Sequence, residues 1–577
     1  MLTRRRVLVA LGGVLLAAVL FTAWQAWQVQ RDLRAAEASV DDLTVAVRDG
    51  DESARDRAIA ELQDASTSAA DRTDGLWWAG LTKLPFVGDD VRGVRALSSS
   101  LEVMANDGIS PLAVTIDDLD RLSVDGRVDV EVVEGLQGPV SDAQAAFQKA
   151  AAEVDGIDSE GFVGALRPRF DDYVDRVDEA AAALAAADTA TAVLPAMVGA
   201  DGPRDYLLIF QNNAEIRASG GMPGAWAQIH AEDGKLEMVK QGTAGDFPMA
   251  DVPVLPLTDE EIAVYGEEIG TYFQDPGFTP DFPRAAQLWR AHWDAKFPST
   301  PIDGVLSLDP VAMSYLLEGA GPVPLGSVTL TSDNLVEELL SKPYLQLDVR
   351  AQDELFERAA GAIFDKLTGQ LASPVDMVRG MNRAATERRF LLAAFDDQTA
   401  AQIEGTAVEG RLTGDDGKTP HVDIGVNDAT GSKMSYYLRY WADVRATSCA
   451  GETQTLSGSM SMSQAIPPSE AAKLPVSVTG GGIYGTEPGT QLTFVRIYGP
   501  YGGSIGEMKV DGKRQEVDAQ MIEGRPVTTL AIALETRDDV IITWSMATKA
   551  GQIGDGEVGV TPGVQQGSKD SIFESSC

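Results

Sequence analysis

The stretch DGPRDYLLIFQNNAEIRASGGMPGAW, residues 201–226, decides how this chain is read. Its apolar run YLLIF predicts a short buried strand. Gln211, Asn212 and Asn213 follow at once, then Glu215 and Arg217 two apart, then Gly220 and Gly221. In open α/β sheets ligands gather beyond the carboxyl ends of strands, and paired glycines admit backbone conformations closed to other residues. The cluster therefore reads in two ways. It is a ligand site, or it is an internal polar network with Arg217 on a buried acid and the asparagines capping loops.

The sequence beyond it alternates strands and helices. AWAQIHA and LEMVKQG flank EDGK, a hairpin signal. LTDEEIAVYGEEIGTYF opens with Thr258 and Glu261 at capping-box spacing. PRAAQLWRAHWDAKF sets Trp289, His292 and Trp293 on one helix, where a packed histidine is the plain reading. IDGVLSL reads as a strand, Asp309-Pro310 opens the helix VAMSYLLEG, and DELFERAAGAIFDKL carries a wide apolar stripe. Residues 196–403 are thus expected to form an α/β domain. Asp246, Asp309 and Asn334 lie at strand ends or helix starts there and join the candidate ligand set, with helix capping as the alternative.

Upstream, residues 28–195 carry helical periodicity. Leu33, Ala36, Val40, Leu43 and Val47 follow a coiled-coil seam, and Ala54, Ala58, Leu62, Ala65 and Ala69 form a second stripe. DGLWWAGLTKLPFVGDD interrupts them as a turn packed on something, and helical spacing returns through Leu97, Leu101, Met104 and AAAALAAAD. An antiparallel stalk or bundle is expected. Before it, Arg4, Arg5 and Arg6 precede the apolar residues 7–23, with Trp24 and Trp27 just beyond. That pattern predicts a spanning helix over residues 7–27, a cytoplasmic tail of residues 1–6, and the bulk of the chain outside. A cleaved signal peptide and a twin-arginine signal are the alternatives.

Downstream, residues 404–577 lose helical patterning. KMSYYLRYWADVRAT, QLTFVRIYGP, PVTTLAIALET and DVIITWSMAT are β-rich runs, predicting a β-sandwich. The fold class expected is therefore multidomain α+β: N-terminal transmembrane helix, helical stalk, central α/β domain and C-terminal β-sandwich. Cys449 and Cys577 are the only cysteines, and an oxidising compartment permits them to pair; two free thiols are the other reading.

Charge narrows the partners. A formal net charge of −40 opposes nucleic acid and broad adsorption to anionic lipid. GGSIG, residues 502–506, matches a hydrolase-elbow string, but its surroundings are β and the last histidine, His421, precedes Ser504. GGGIYG, residues 480–485, opens no helix and is a glycine-rich loop. His230, His292 and His421 lack a second ligand at metal-binding spacing. A carboxylate site for Mg2+ stays open, since magnesium needs only one or two carboxylates plus ligand phosphates.

RDYLLIFQNNAEIRASGGMPGAWAQIHAEDGKL, IDGVLSLDPVAMSYLLEGAGPVPL and TSDNLVEELL resemble the bacterial family filed as domain of unknown function 4012. WWAGLTKLPFVGDDVRGVRALS and VRIYGPYGGSIGEMKVDGK fit it as well. The resemblance implies a single-pass, outward-facing envelope protein, chiefly actinobacterial and associated with exopolysaccharide loci. More remotely, the order of strand, DGVLSLDPVAMSYLLEGAGPV and following segment is similar to LytR-CpsA-Psr phosphotransferases. That likeness implies a polyprenyl-pyrophosphate glycan or cell-wall polymer as ligand, with magnesium. Where those enzymes carry a strand ending in Arg-Asp, this chain has MVKQGTAGDF, with Asp246 and no arginine. The reading is of an envelope protein that assists surface-glycan assembly by binding such a ligand; in a catalytic version Arg217 holds a phosphate, Glu215 or Asp246 binds a metal or acts as base, and Asn212 and Asn213 orient sugar or phosphate. The alternative is a scaffold contacting other envelope proteins.

Overall fold

The computed structural model describes residues 2–85, 87–115, 118, 121–124, 126–482, 485–536, 539–565, 567 and 569–577, with side chains from residue 16 onward except at 123 and 124. It divides into two compact units, Met1–Arg121 with Glu131–Ala192, and Leu122–Val130 with Val193–Cys577.

The first unit is helical. A long helix, α1 (Leu2–Asp49), turns at Gly50 into α2 (Glu52–Thr73), whose cap Asp51 accepts the Ala54 amide at 2.9 Å. The residues that bury along α1 are Val29, Asp32, Ala36, Ser39 and Ala46, facing Ala58, Leu62, Ala65 and Ala69 of α2. The buried stripe is therefore offset from the expected seam: Ala36 lies in it, Leu33, Leu43 and Val47 are half-buried, and Val40 is exposed. Small side chains and an ion pair set this interface, with Arg72 Nε on Asp32 at 2.6 Å. Next come α3 (Leu76–Leu81), α4 (Gly88–Val103) with a π-helical turn at Met104–Ile109, α5 (Val130–Asp155) and α6 (Arg167–Met197). Met104, Phe147, Ala150, Val177 and Ala181 form their core.

Side chains of residues 2–15, and so most of the apolar run 7–23, lie outside the described residues. Among the described ones, the helix meeting the length and composition of a membrane span is α6. Its first half alternates Arg and Asp with Phe170 and Val177, which are buried against other helices of the unit, and its second half is rich in alanine.

The second unit opens with a mixed sheet. Its main strands are β1 (Arg204–Arg217), β2 (Gly220–Glu232), β3 (Lys235–Thr243), β4 (Gly304–Leu308) and β5 (Phe390–Ala394), and they lie in the order β3-β2-β1-β4-β5. β1 and β4 run parallel and the other pairs antiparallel. Alternation along β1 sends Tyr206 and Leu208 to one face and Leu207 and Ile209 to the other. The first face is covered by α7 (Pro310–Ala320) and α8 (Val349–Thr368). The second is covered by the helix Phe282–Lys296 through Trp289 and Trp293.

The strand YLLIF is not short. β1 runs fourteen residues, straight through the polar cluster to Arg217, with irregular register between Phe210 and Gln211 and between Asn212 and Ile216. The reason lies in the third part of the chain. Two antiparallel-rich sheets, one of six strands and one of five, enclose a common apolar core, and Ile216 belongs to that core with Val422, Ile424 and Leu438. The Ile216 amide donates to Ser435 Oγ at 3.2 Å, and the Ala218 amide to Asn427 Oδ1 at 2.9 Å. The polar stretch is the end of a strand that plugs one fold into the next. Cys449 and Cys577 are disulfide-bonded, closing a sequence separation of 128.

Candidate functional site

The predicted residues are separated by the irregular register at the end of β1, which breaks the alternation between Asn212 and Ile216. Glu215 and Arg217 point into the junction with the sandwich. Arg217 donates Nη2 to Glu215 at 3.1 Å and Nη1 to the carbonyls of Ile216 and Asp428, and its guanidinium lies over the Phe278 ring at 4.6 Å. Lys433 Nζ donates to the second Glu215 oxygen. Burial alone would raise the Glu215 carboxyl, but Lys433 and Arg217 together hold it below the usual range. Asp428 accepts from Thr430 and Gln491. Asp275, 4.0 Å from Arg217, is pushed up to about 6, chiefly by burial.

Asn213 faces the other way, with no exposed surface. Its amide donates to Asp309 Oδ2 at 2.8 Å, where Arg389 Nη1 also donates at 2.8 Å. Asp309 is at the same time the N-cap of α7, accepting the Ala312 amide at 2.7 Å. Arg389 continues to Glu387 at 3.0 Å and to the Gly563 carbonyl at 2.8 Å.

Asn212 faces an open space. It donates to the Tyr344 hydroxyl and accepts the Ala214 amide at 3.1 Å. Beside it is a cavity of about 250 Å³ whose walls are mostly apolar: Phe210, Met222, Met313, Leu339, Phe356 and Ile363, with Gln211, Asn212, Tyr344, Gln352, Asp353 and Lys433 as polar lining. The cavity lies between the sheet and α8, whose apolar stripe supplies Phe356, Ala359, Ala360 and Ile363. A second space of about 290 Å³ shares Phe210, Gly224, Ala225, Asp353, Phe356 and Ala360 with it and reaches Gln241, Thr243, Asp246 and Glu357. Together they form one cleft along α8. Asp246 thus lines the end away from Asn212, where its carboxylate accepts the Thr243 amide at 2.8 Å and closes a capping box. Asn334 stands apart: it accepts the Thr331 amide and donates to the Thr329 carbonyl, serving a turn.

The chemistry available at the cleft follows from these pairings. Arg217, Lys433 and Arg389 each rest on a buried carboxylate, so none is a free cation awaiting a phosphate. His292 is lowered to about 4 by burial in the aromatic core and is neutral at pH 7. Among the described residues, no group of three His, Cys, Asp or Glu side chains is placed to hold a metal ion. Large apolar walls with an amide, a phenol and an ammonium at one end suit a ligand whose main mass is hydrocarbon.

Tyr344, Lys433 and Arg389 were not among the residues expected at the site from sequence, and Phe356 was read only as part of an apolar helical stripe. The adjacent Arg388 and Arg389 ahead of FLLAA were a readable signal, because a charged pair entering a buried strand needs acid partners. Lys433 carried no local signal.

Residues 201–344 match the family model described as Protein of unknown function (DUF4012). That is about a quarter of the chain, and it holds every candidate ligand residue, with Tyr344 at its end. The matched segment stops before α8, which supplies the opposite wall of the cleft. No curated protein and no solved structure matches the chain.

Proposed function

We propose that this is an outward-facing envelope protein, held by its N-terminal helix, that takes the hydrocarbon part of a lipid-linked glycan intermediate into the cleft along α8. The observation that carries the reading is the apolar cavity beside Asn212, Tyr344 and Lys433. The polar end would meet the pyrophosphate or first sugar, and the methionine and phenylalanine walls would take the polyprenyl chain. Export is supported by the Cys449–Cys577 bond, which belongs in an oxidising compartment. It is supported too by the arginine-flanked apolar run at residues 4–23. Any magnesium would arrive on the ligand's phosphates: Asp246 and Glu215 are committed to an amide and a cation, and Asp353 lines both halves of the cleft.

The role is retention or presentation of the ligand, in service of cell-wall or exopolysaccharide assembly. A scaffold reading rests on a different observation, the buried network of Glu215, Arg217, Lys433 and Asp428 that joins the α/β fold to the sandwich. The two are separated by thermal melting of the full chain with a short-chain polyprenyl pyrophosphate, with and without magnesium. A native-state ligand at a hundredfold excess over Kd stabilises by about 2.7 kcal/mol. A saturable rise in Tm supports the ligand reading; no rise at any concentration leaves the scaffold.

A further inference from the structure

The strongest unexplained surface is in the first unit. Leu76 is 94% exposed, Leu84 47% and Trp77 41%, while Trp78 between them is buried and holds α3 in place. Trp77 Nε1 donates to Thr22 Oγ1 at 3.2 Å, and its ring meets Phe21 edge-on with centroids 5.4 Å apart. On α1 itself Leu16, Val19, Leu20, Phe21, Trp24 and Trp27 are all exposed. The chain carries no charge between Arg6 and Arg31. One continuous apolar face therefore runs along α1 and onto α3.

We infer that residues 76–84 lie in the outer headgroup boundary of the membrane, as a second lipid contact beside α1. The inference rests on the anchor reading given above. Thr22 stands at the end of the apolar run, so the Trp77–Thr22 hydrogen bond fixes α3 at the level marked by Trp24 and Trp27. Residues 7–22 span roughly 24 Å as a helix, which puts that level near the edge of a hydrocarbon core about 30 Å thick. Tryptophan favours this boundary because its ring is apolar and its N–H needs a partner. Lys83 is exposed within the same segment and can reach the lipid phosphates. Continuity with the spanning stretch selects lipid as the occupant over a protein partner.

The test uses the full chain in vesicles of phosphatidylcholine and phosphatidylglycerol containing a lipid with a photoreactive diazirine near its headgroup, with labelled peptides mapped by mass spectrometry. Label is expected on residues 7–27 and, separately, on residues 76–84. The variant L76E/L84E is expected to lose the second label and keep the first. Label confined to residues 7–27 overturns the inference and leaves the anchor standing. Residues 76–84 protected from solvent yet unlabelled would mean a protein partner or a second copy covers them, which also overturns it. No label on residues 7–27 overturns the anchor and the inference with it.

Discussion

Lys433 donates its ammonium to Glu215 from 218 residues further along the chain, while Arg217 reaches the other carboxylate oxygen at 3.1 Å. This ion triad joins the α/β fold to the sandwich, and all three side chains are largely buried. Lys433→Met leaves Glu215 buried with one cation in place of two. Removing one partner from a buried pair costs about 3–5 kcal/mol. Lys433→Met is therefore expected to lower the urea midpoint strongly, and the double change Glu215→Gln with Lys433→Met to recover much of the loss. A loss in the double variant equal to the sum of the losses in Glu215→Gln and Lys433→Met alone would show that the charges do not act as a unit.

Asp275 and Asp281 give stability a definite pH dependence. Burial raises each carboxyl to about 6, against Arg217 at Asp275 and with help from Glu523 at Asp281. A raised acid binds its proton more tightly folded than unfolded. Its contribution is complete below the unfolded value near 4 and is lost as pH rises through 6. Each accounts for at most about 3 kcal/mol. Asp275→Asn should flatten the fall in Tm between pH 4 and 6. Glu387 has the opposite sign: burial would raise it, but Lys569, Tyr315 and Arg389 hold it at about 2, so its contribution is present above pH 4.5 and lost as pH falls toward 2. A Tm profile of Asp275→Asn parallel to wild type would contradict the assignment.

Two glycines of one hairpin should respond differently. A Cβ on Gly221 would lie 2.4 Å from the Asn212 carbonyl carbon and 2.5 Å from the Asn213 amide, both rigid backbone. A Cβ on Gly224 would meet Asn212 Cβ only at 3.7 Å and Met222 Cε at 3.9 Å. Gly221→Ala is expected to cost several kcal/mol through forced backbone shifts, of the order of 3 kcal/mol or more. Gly224→Ala should fold normally. Circular dichroism melting of the two variants checks this, and equal Tm values would refute the close approach.

The Cys449–Cys577 bond ties the last residue to the hairpin of Leu438–Ala450 and Thr453–Gln464. On chain-entropy reasoning, a loop of this size stabilises by about 5 kcal/mol. Cys577→Ser, or melting in dithiothreitol, should lower Tm by a similar amount in both cases. An unchanged Tm under reduction would show that Ser575 and Ser576, which hydrogen-bond to Asp555, Ile553 and Gln454, hold the tail without it.

What was legible in the sequence was local. The Thr258–Glu261 capping box is present with both hydrogen bonds, at 2.7 and 3.1 Å, because four adjacent residues suffice to form it. The same holds for the Asp309 cap and for the EDGK hairpin, whose turn sets Asp233 and Gly234 at positive φ. The apolar stripe of α8 was readable, but not that part of it would line a cleft instead of closing on the sheet. The length of β1 was hidden for a physical reason. Polar residues after an apolar run normally mark a strand's end, and here their partners Asn427, Asp428, Lys433 and Ser435 come from a segment more than two hundred residues away. Asn212 and Arg217, neighbours in the quoted stretch, consequently serve different ends, one at the cleft and one in the junction.

The most direct test of the account is the affinity of a short-chain polyprenyl pyrophosphate for the full chain, measured beside Ala360→Trp and Arg217→Ala. Ala360 is half-buried and lines both halves of the cleft, so an indole there fills the cleft without entering the sheet. The account predicts saturable one-to-one binding that Ala360→Trp abolishes while Tm without ligand stays near wild type. It predicts that Arg217→Ala is less stable yet, where folded, still binds. Binding that survives Ala360→Trp and is lost in a folded Arg217→Ala would contradict it, and would return the ligand to the polar cluster.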